Sequence, residues 1–240
     1  MITSKENAWF KRVREAIREH GDEILIEGPK AVEDAIAAGW KPIAVFVNDV
    51  EPALSRLEPA KSRFYVLARE LFKSISDTKT SQGVIALFER PRWKADVVFS
   101  RSDSVIVALD GVQDPGNVGT IVRLAAAFDA AGVILLPGCA DAYGPKAIRA
   151  SAGAILSVPV IEMTVDQLLA RHLPIFAADA HGSSELPNGI LVFGSEGRGI
   201  SDALRRVARL VRIETSGRVE SLNVAAAAAI LLWRRFNSRS

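Results

Sequence analysis

From residue 105 onward the chain repeats one pattern: a short aliphatic, largely β-branched run, a polar turn, then a stretch whose apolar residues recur every three or four positions. The aliphatic runs fall at 105–109, 133–136, 158–161, 175–178, 190–193 and 210–213. Helical stretches are read at 117–128, 145–155, 165–171, 201–206 and 222–236. Strands without polar alternation are buried on both faces, and helices between them supply the cover, so the pattern demands a parallel sheet with helical layers. The expected fold class is α/β, a parallel doubly wound sheet. Ligands of such sheets bind beyond the carboxyl ends of the strands, which directs attention to the polar turns.

The first 90 residues alternate in shorter units. An amphipathic helix over 8–20 carries Trp9, Phe10, Val13 and Ile17 on one face and stops at Gly21. Strands are expected at 24–26, 43–47, 64–67 and 83–88, with helices at 31–38 and 68–75. This is a small α/β unit with its own core. Residues 89–104 turn polar and are broken by Pro91, as an interdomain connection would be. The expected organisation is one domain over 1–95, a linker over 96–104 and a second domain over 105–240.

Composition removes several classes of function. At 240 residues and 49% hydrophobic the chain can bury a sizeable core. Its single cysteine, Cys139, excludes an intrachain disulfide, and His20, His172 and His181 have no metal-ligand spacing, so no metal is expected. The N-terminal residues lack a signal-peptide apolar region, and the longest apolar run, 224–233, falls short of the roughly 20 residues of a membrane span. The expected location is the cytoplasm, with no membrane partner. A net charge of +2 does not by itself imply a polyanion, but its distribution is uneven. Arg198, Arg205, Arg206, Arg209, Arg212, Arg218, Arg234, Arg235 and Arg239 face only Asp202, Glu214 and Glu220 in the last segment. Such a cluster is either a phosphate-binding surface or a solvated helix face.

Three turns are rich in Gly, Asn, Ser and charge: 113–119, 194–199 (GSEGRG) and 215–223 (TSGRVESLN). Their order of glycines is not that of a dinucleotide fingerprint, no Walker lysine is present, and Ser195 lacks the frame of a hydrolase elbow. The glycines permit close approach of backbone to a flat ligand. Asn117 stands where a helix N-cap is expected, and Glu196 is either a functional carboxylate or a loop residue.

These turns together resemble the SpoU (TrmH-like) branch of the SPOUT RNA ribose 2′-O-methyltransferases. The resemblance rests on Asp114-Pro115-Gly116-Asn117-Val118-Gly119 with Arg123, on Val192-Phe193-Gly194-Ser195-Glu196-Gly197 with Gly199, and on Ile213, Gly217, Val219 and Ser221-Leu222-Asn223-Val224 before an alanine-rich helix. The segment from Arg149 to Ala154, followed by Pro159, is similar to a further family segment, and all occur in family order over about 103–240. Upstream, Glu27-Gly28 and Ser81-Gln82-Gly83-Val84 resemble an L30e-like RNA substrate-binding domain. Glu214 and Thr215 depart from the family's usual Pro and Met.

The resemblance implies a trefoil-knotted catalytic domain, S-adenosylmethionine as methyl donor, a homodimer, and as substrate a ribose of ribosomal RNA, of the 23S type in the first place, or of transfer RNA. It implies catalytic roles for Asn117, Arg123, Glu196, Ser221 and Asn223, and cofactor contacts at Ala178, Gly194, Ile213, Ser221 and Leu222. A guanidinium stays protonated, so Arg123 is expected to bind phosphate and stabilise developing alkoxide charge rather than act as a literal base. Two alternatives keep the fold: an enzyme that methylates a base, and a non-catalytic RNA-binding or assembly protein.

Overall fold

The computed structural model describes residues 1–19, 21–48, 63–76, 81–101, 103–183 and 188–238. His20 and Arg239 lie outside the described residues. The chain divides into two units, Met1–Pro91 with Tyr143–Ile148, and Arg92–Ala142 with Arg149–Ser240.

In the first unit the elements are α1 (Ala8–Glu19), β1 (Glu23–Glu27), α2 (Pro29–Ala37), β2 (Pro42–Val47), β3 (Arg63–Val66), α3 (Arg69–Ile75) and β4 (Val84–Glu89). They form a four-stranded sheet in the order β1-β4-β2-β3, with β4 antiparallel to both neighbours and β3 parallel to β2. Phe10 and Val13 of α1 and Phe72 of α3 bury completely with Phe46 and Leu87 from the central strands.

The second unit begins with α4 (Ala95–Phe99) and β5 (Ile106–Asp110), then α5 (Pro115–Ala127) and β6 (Gly132–Leu135). α6 (Pro145–Ala150), most of which is counted with the first unit, precedes β7 (Val160–Glu162), α7 (Val165–Leu169), β8 (Ile175–Ser183), β9 (Ile190–Gly194), α8 (Asp202–Arg205), β10 (Arg209–Val211) and α9 (Val224–Asn237). The sheet has six strands, all parallel, in the order β10-β8-β9-β5-β6-β7. This is the α/β parallel architecture expected from the alternation. Every residue of β5 is buried, and each fully buried valine or leucine contributes roughly 1.5–3 kcal/mol. α5 turns Val118, Ile121, Val122 and Ala125 inward, and α9 packs beside it through Ala225, Ala228, Leu231 and Leu232. The alanines of α9 let the two helices approach closely.

Three local readings are corrected. The stretch expected to be linker begins with α4, because Val98 is fully buried against the core around Ile106 and Ile134. The helix expected over 145–155 ends at Ala150, where Ala152 (φ 48°) and Gly153 (φ 89°) turn left-handed before a short 3-10 turn at Ala154–Leu156. β8 is longer than expected and irregular. Leu210 pairs with Ala177 but Val211 pairs with Ser183, so residues 178–182 leave the ladder before it resumes.

Candidate functional site

In a parallel sheet all carboxyl ends share one edge. At the centre of this one, β5 connects onward to β6 on one side while β9 and β8 lie on the other, which makes the β5/β9 boundary a topological switch point. The turns after β5, β9 and β10 all leave from this edge. The Asp110 carboxylate at the end of β5 is 9% exposed and accepts a hydrogen bond from the Ser201 backbone N–H at 2.6 Å, which ties the turn after β9 to the end of β5. Sequence reading passed over Asp110; an acidic residue closing an otherwise apolar strand was the available signal.

α5 is capped by Asp114, not by Asn117 as expected. Its carboxylate accepts from the Asn117 N–H at 3.0 Å, and Pro115 fills the first helical position, where its fixed φ suits the helix and no N–H is missed. With the cap supplied three residues earlier, the Asn117 side chain is available for other partners. Its amide donates to Glu196 Oε1, and its carbonyl oxygen accepts from Asn223 Nδ2 at 3.3 Å. Asn223 in turn caps α9, its Oδ1 accepting from the N–H groups of Ala225 and Ala226 at 2.9 and 3.2 Å. Three turns distant in sequence thus meet in one hydrogen-bonded row, Glu196–Asn117–Asn223.

Glu196 is exposed at the tip of a tight loop closed by reciprocal backbone bonds between Ser195 and Gly199 at 2.9 and 3.1 Å. Gly194 makes that closure possible. A Cβ at this position would lie 2.2 Å from the Gly199 carbonyl carbon, so only glycine allows the two backbones to pass.

Beside the row, a cavity of about 330 Å³ opens over β8 and β10. Ala178, Ile213, Ser221 and Leu222 line it, with Asp179, Thr215 and Gly217 among the others. Gly194 is not one of the lining residues; it shapes the neighbouring loop. Asp179, missed in the sequence, holds Arg205 at 2.9 Å. Of the two departures from the family pattern, Thr215 lines the cavity and accepts from the Gly217 N–H at 3.3 Å, whereas Glu214 pairs with Arg212 at 3.5 Å. A lining of aliphatic side chains interrupted by Asp179, Thr215, Glu220 and Ser221 suits a flat heterocycle carrying a polar tail.

Arg123 stands apart. It is exposed on α5, six residues and therefore about 240° around the helix from Asn117, and it makes no ion pair with any described residue. The arginine cluster also divides. Arg235 is 8% exposed and bonds Asn188 and the Asp103 carbonyl, and Arg234 donates to the Arg212 carbonyl at 3.3 Å. These two brace the last helix. Arg198, Arg206, Arg209 and Arg218 are exposed. Cys139 lies near the end of β5, where its thiol donates to the Leu109 carbonyl at 3.1 Å. Burial pushes that thiol up from its ordinary pKa against the opposing pull of backbone hydrogen bonds.

The model of the SpoU rRNA Methylase family matches residues 104–233, and that of the MRM3-like substrate binding domain matches residues 11–86. The chain is 31% identical to the 23S rRNA (guanosine(2553)-2′-O)-methyltransferase RlmP of Bacillus subtilis, over 95% of this chain and 94% of that protein. It is 28% identical to the 23S rRNA (uridine(2479)-2′-O)-methyltransferase of Streptomyces viridochromogenes, over 99% and 92%. Among solved structures, the SpoU methyltransferase AviRb from Streptomyces viridochromogenes, in complex with AdoMet, superposes with a TM-score of 0.89 at 26% identity, covering 98% of each chain.

Proposed function

The chain belongs to the SpoU rRNA methylase family, and on that premise we propose that it transfers a methyl group from S-adenosylmethionine to a ribose 2′-hydroxyl of ribosomal RNA, of the 23S type. The observation that carries this reading is the Glu196–Asn117–Asn223 row beside an apolar-walled cavity on one sheet edge. The cofactor, when bound, supplies an electrophilic sulfonium methyl whose leaving group is a neutral sulfide. The residues present fit it: Ala178, Ile213 and Leu222 would flank the adenine, while backbone groups near Gly217 and Ser221 would read its edge.

The protein's own task is alignment and charge management. Glu196, fixed by the Asn117 amide, accepts the hydrogen bond of the ribose hydroxyl, turns an oxygen lone pair toward the methyl and takes up the hydroxyl proton as the oxygen–methyl bond forms. Ser221 and Asn223 complete the orientation of substrate against cofactor. Arg123 binds the adjoining phosphate and stabilises alkoxide charge as it develops. Because Arg123 is exposed and separate from the row, we assign it to the site of a second subunit. The homodimer is supported by the exposed apolar residues Ile230, Trp233 and Phe236 of α9, at 39, 55 and 43% exposure. Residues 1–95 serve as the RNA substrate-binding domain, in keeping with the match over 11–86. A trefoil-knotted path for the C-terminal backbone and a place of work in the cytoplasm belong to the same reading.

The test is to incubate the purified protein with S-adenosylmethionine and ribosomal RNA from cells lacking this gene, digest to nucleosides and separate them. A 2′-O-methylated nucleoside is expected. A methylated base would move the chemistry to the other SPOUT branches, and cofactor binding without any methylated product would favour an assembly protein.

A further inference from the structure

The sheet edge does not end at the site. On the far side of β5 from the cofactor cavity, the ends of β6 and β7 and the turns beyond them enclose a second cavity, of about 390 Å³. Leu135, Leu136 and Met163, only 5, 2 and 9% exposed, form its apolar surface, and Glu162 and Gln167 supply polar groups at its rim. A bare path leads to it. Gly111 (φ 72°) and Gly138 (φ 88°) stand face to face, such that a Cβ on Gly138 would touch the Gly111 Cα at 3.6 Å and one on Gly111 would touch the Ser195 Cβ at 3.8 Å. Gly111 and Gly138 thus place no side chain of their own between Ser195, which begins the loop bearing Glu196, and this cavity. Neighbouring strands lie about 4.8 Å apart, so the step from the end of β5 to the middle of the β6/β7 pair is roughly 7 Å, within the reach of a nucleoside.

We propose, resting on the transferase reading of the site, that this cavity receives the base of the nucleotide being methylated and selects guanine. The exposed Glu162 carboxylate favours a base edge that offers hydrogen-bond donors. A carboxylate accepts up to about four hydrogen bonds, so Glu162 serves a ligand alongside its partners within the protein. The orientation of Gln167 is fixed: its Oε1 accepts from the Thr164 N–H at 2.9 Å while the Thr164 hydroxyl accepts from the Gln167 N–H at 3.2 Å. Its amide N–H groups are therefore its ligand-binding end. Guanine presents two adjacent donors, N1–H and N2–H, to a carboxylate and its O6 acceptor to an amide. Uracil presents one N–H flanked by two carbonyl oxygens, which a carboxylate repels. Family membership leaves this choice open, since one relative is named for guanosine and another for uridine.

Cys139 lines the same cavity and is the chain's only cysteine, so its alkylation reports on this place alone. The full-length protein with S-adenosylmethionine is treated with iodoacetamide in the presence of guanosine 5′-monophosphate, uridine 5′-monophosphate or inorganic phosphate. Occlusion scales as 1 + [L]/Kd, so the guanine nucleotide should slow alkylation about fourfold at three times its Kd. The uridine nucleotide and phosphate should need about tenfold higher concentration, the scale of a lost bidentate base contact. Glu162→Gln should lose most of the guanine protection and keep its cofactor affinity. Equal protection by uridine nucleotide or phosphate, no protection by guanine nucleotide up to its solubility, or unchanged protection in Glu162→Gln overturns the proposal. The footprint needs no methyl transfer, so a pocket that fails while transfer succeeds is told apart from a transfer that fails while the pocket binds.

Discussion

At Asn223 a single side chain fixes the chemistry of its neighbours. Its Oδ1 must accept, because the first N–H groups of α9 have no other acceptor in the helix, and this forces its amide nitrogen toward Asn117. Asn117 then presents its carbonyl to Asn223 and its amide nitrogen to Glu196, so both amide orientations follow from one helix cap. Asn223→Asp keeps the cap but replaces a donor with a charge facing the Asn117 carbonyl. It should leave thermal stability near wild type while turnover falls about 10²-fold or more, as for other lost positioning groups. Asn223→Ala should also lose about 1 kcal/mol of capping, seen as a Tm lowered by roughly 2–4 °C in a scanning calorimeter. Equal activity in the aspartate variant would remove the row from the mechanism. Arg123→Ala should lower turnover by about 10²-fold with cofactor affinity unchanged in a calorimetric titration, and Arg123→Lys should recover little, because the charge stays but the fork is lost. All these residues were legible in the sequence; their linkage was not. The sequence points to Asn117 as the cap because an Asp-Pro pair is equally at home in a turn and at an N-cap followed by proline at the first helical position.

Among the elements, the loop after β9 depends on a backbone crossing that leaves no room for a methyl group. Gly194→Ala should push Gly199 away and displace Glu196 while leaving the lining of the cofactor cavity in place. Turnover should therefore fall by tenfold or more with cofactor affinity reduced much less; the reverse split, measured by titration and steady-state kinetics on the same preparation, would put Gly194 in the cavity wall after all. The strand positions were readable because runs such as 105–109 and 190–193 are apolar throughout, and a parallel sheet is the setting that buries such runs on both faces. What the sequence hid were features decided by tertiary contact. α4 is a single buried valine and a few supporting residues in an otherwise polar stretch, too short for periodicity to register. The excursion of β8 at 178–182 arises from its pairing with β10, a partner about 30 residues away that a local window does not see. Asp179 enters the cavity wall through that excursion, which is why it went unread.

For the molecule as a whole, the proposed dimer and the proposed RNA surface make separate demands on α9 and its surroundings. Trp233→Glu should convert a dimer to a monomer in light scattering at micromolar concentration, and a wild-type protein already monomeric there would overturn the dimer. Exposed arginines such as Arg206 and Arg209 should each lower the slope of log affinity against log salt by about 0.7–0.9 when replaced by alanine, whereas the buried Arg235 should act on stability instead. Deleting residues 1–95 should preserve cofactor binding and abolish discrimination between RNAs; unchanged selectivity of the truncated protein would locate target choice in the catalytic domain. The strand order also has a consequence for synthesis. β5 sits at the centre of its sheet, yet its partner β9 follows 84 residues after it, as the pairing of Ile106 with Ile190 requires. At about 5–20 residues per second, one flank of a strand that is apolar up to its closing Asp110 waits roughly 4–17 s on the ribosome for its neighbour to be made. During that interval the flank of β5 that will pair with β9 has no strand beside it. The nascent chain is then a natural client for a chaperone, and a translational pause between residues 110 and 190 would lengthen the exposure that most invites aggregation.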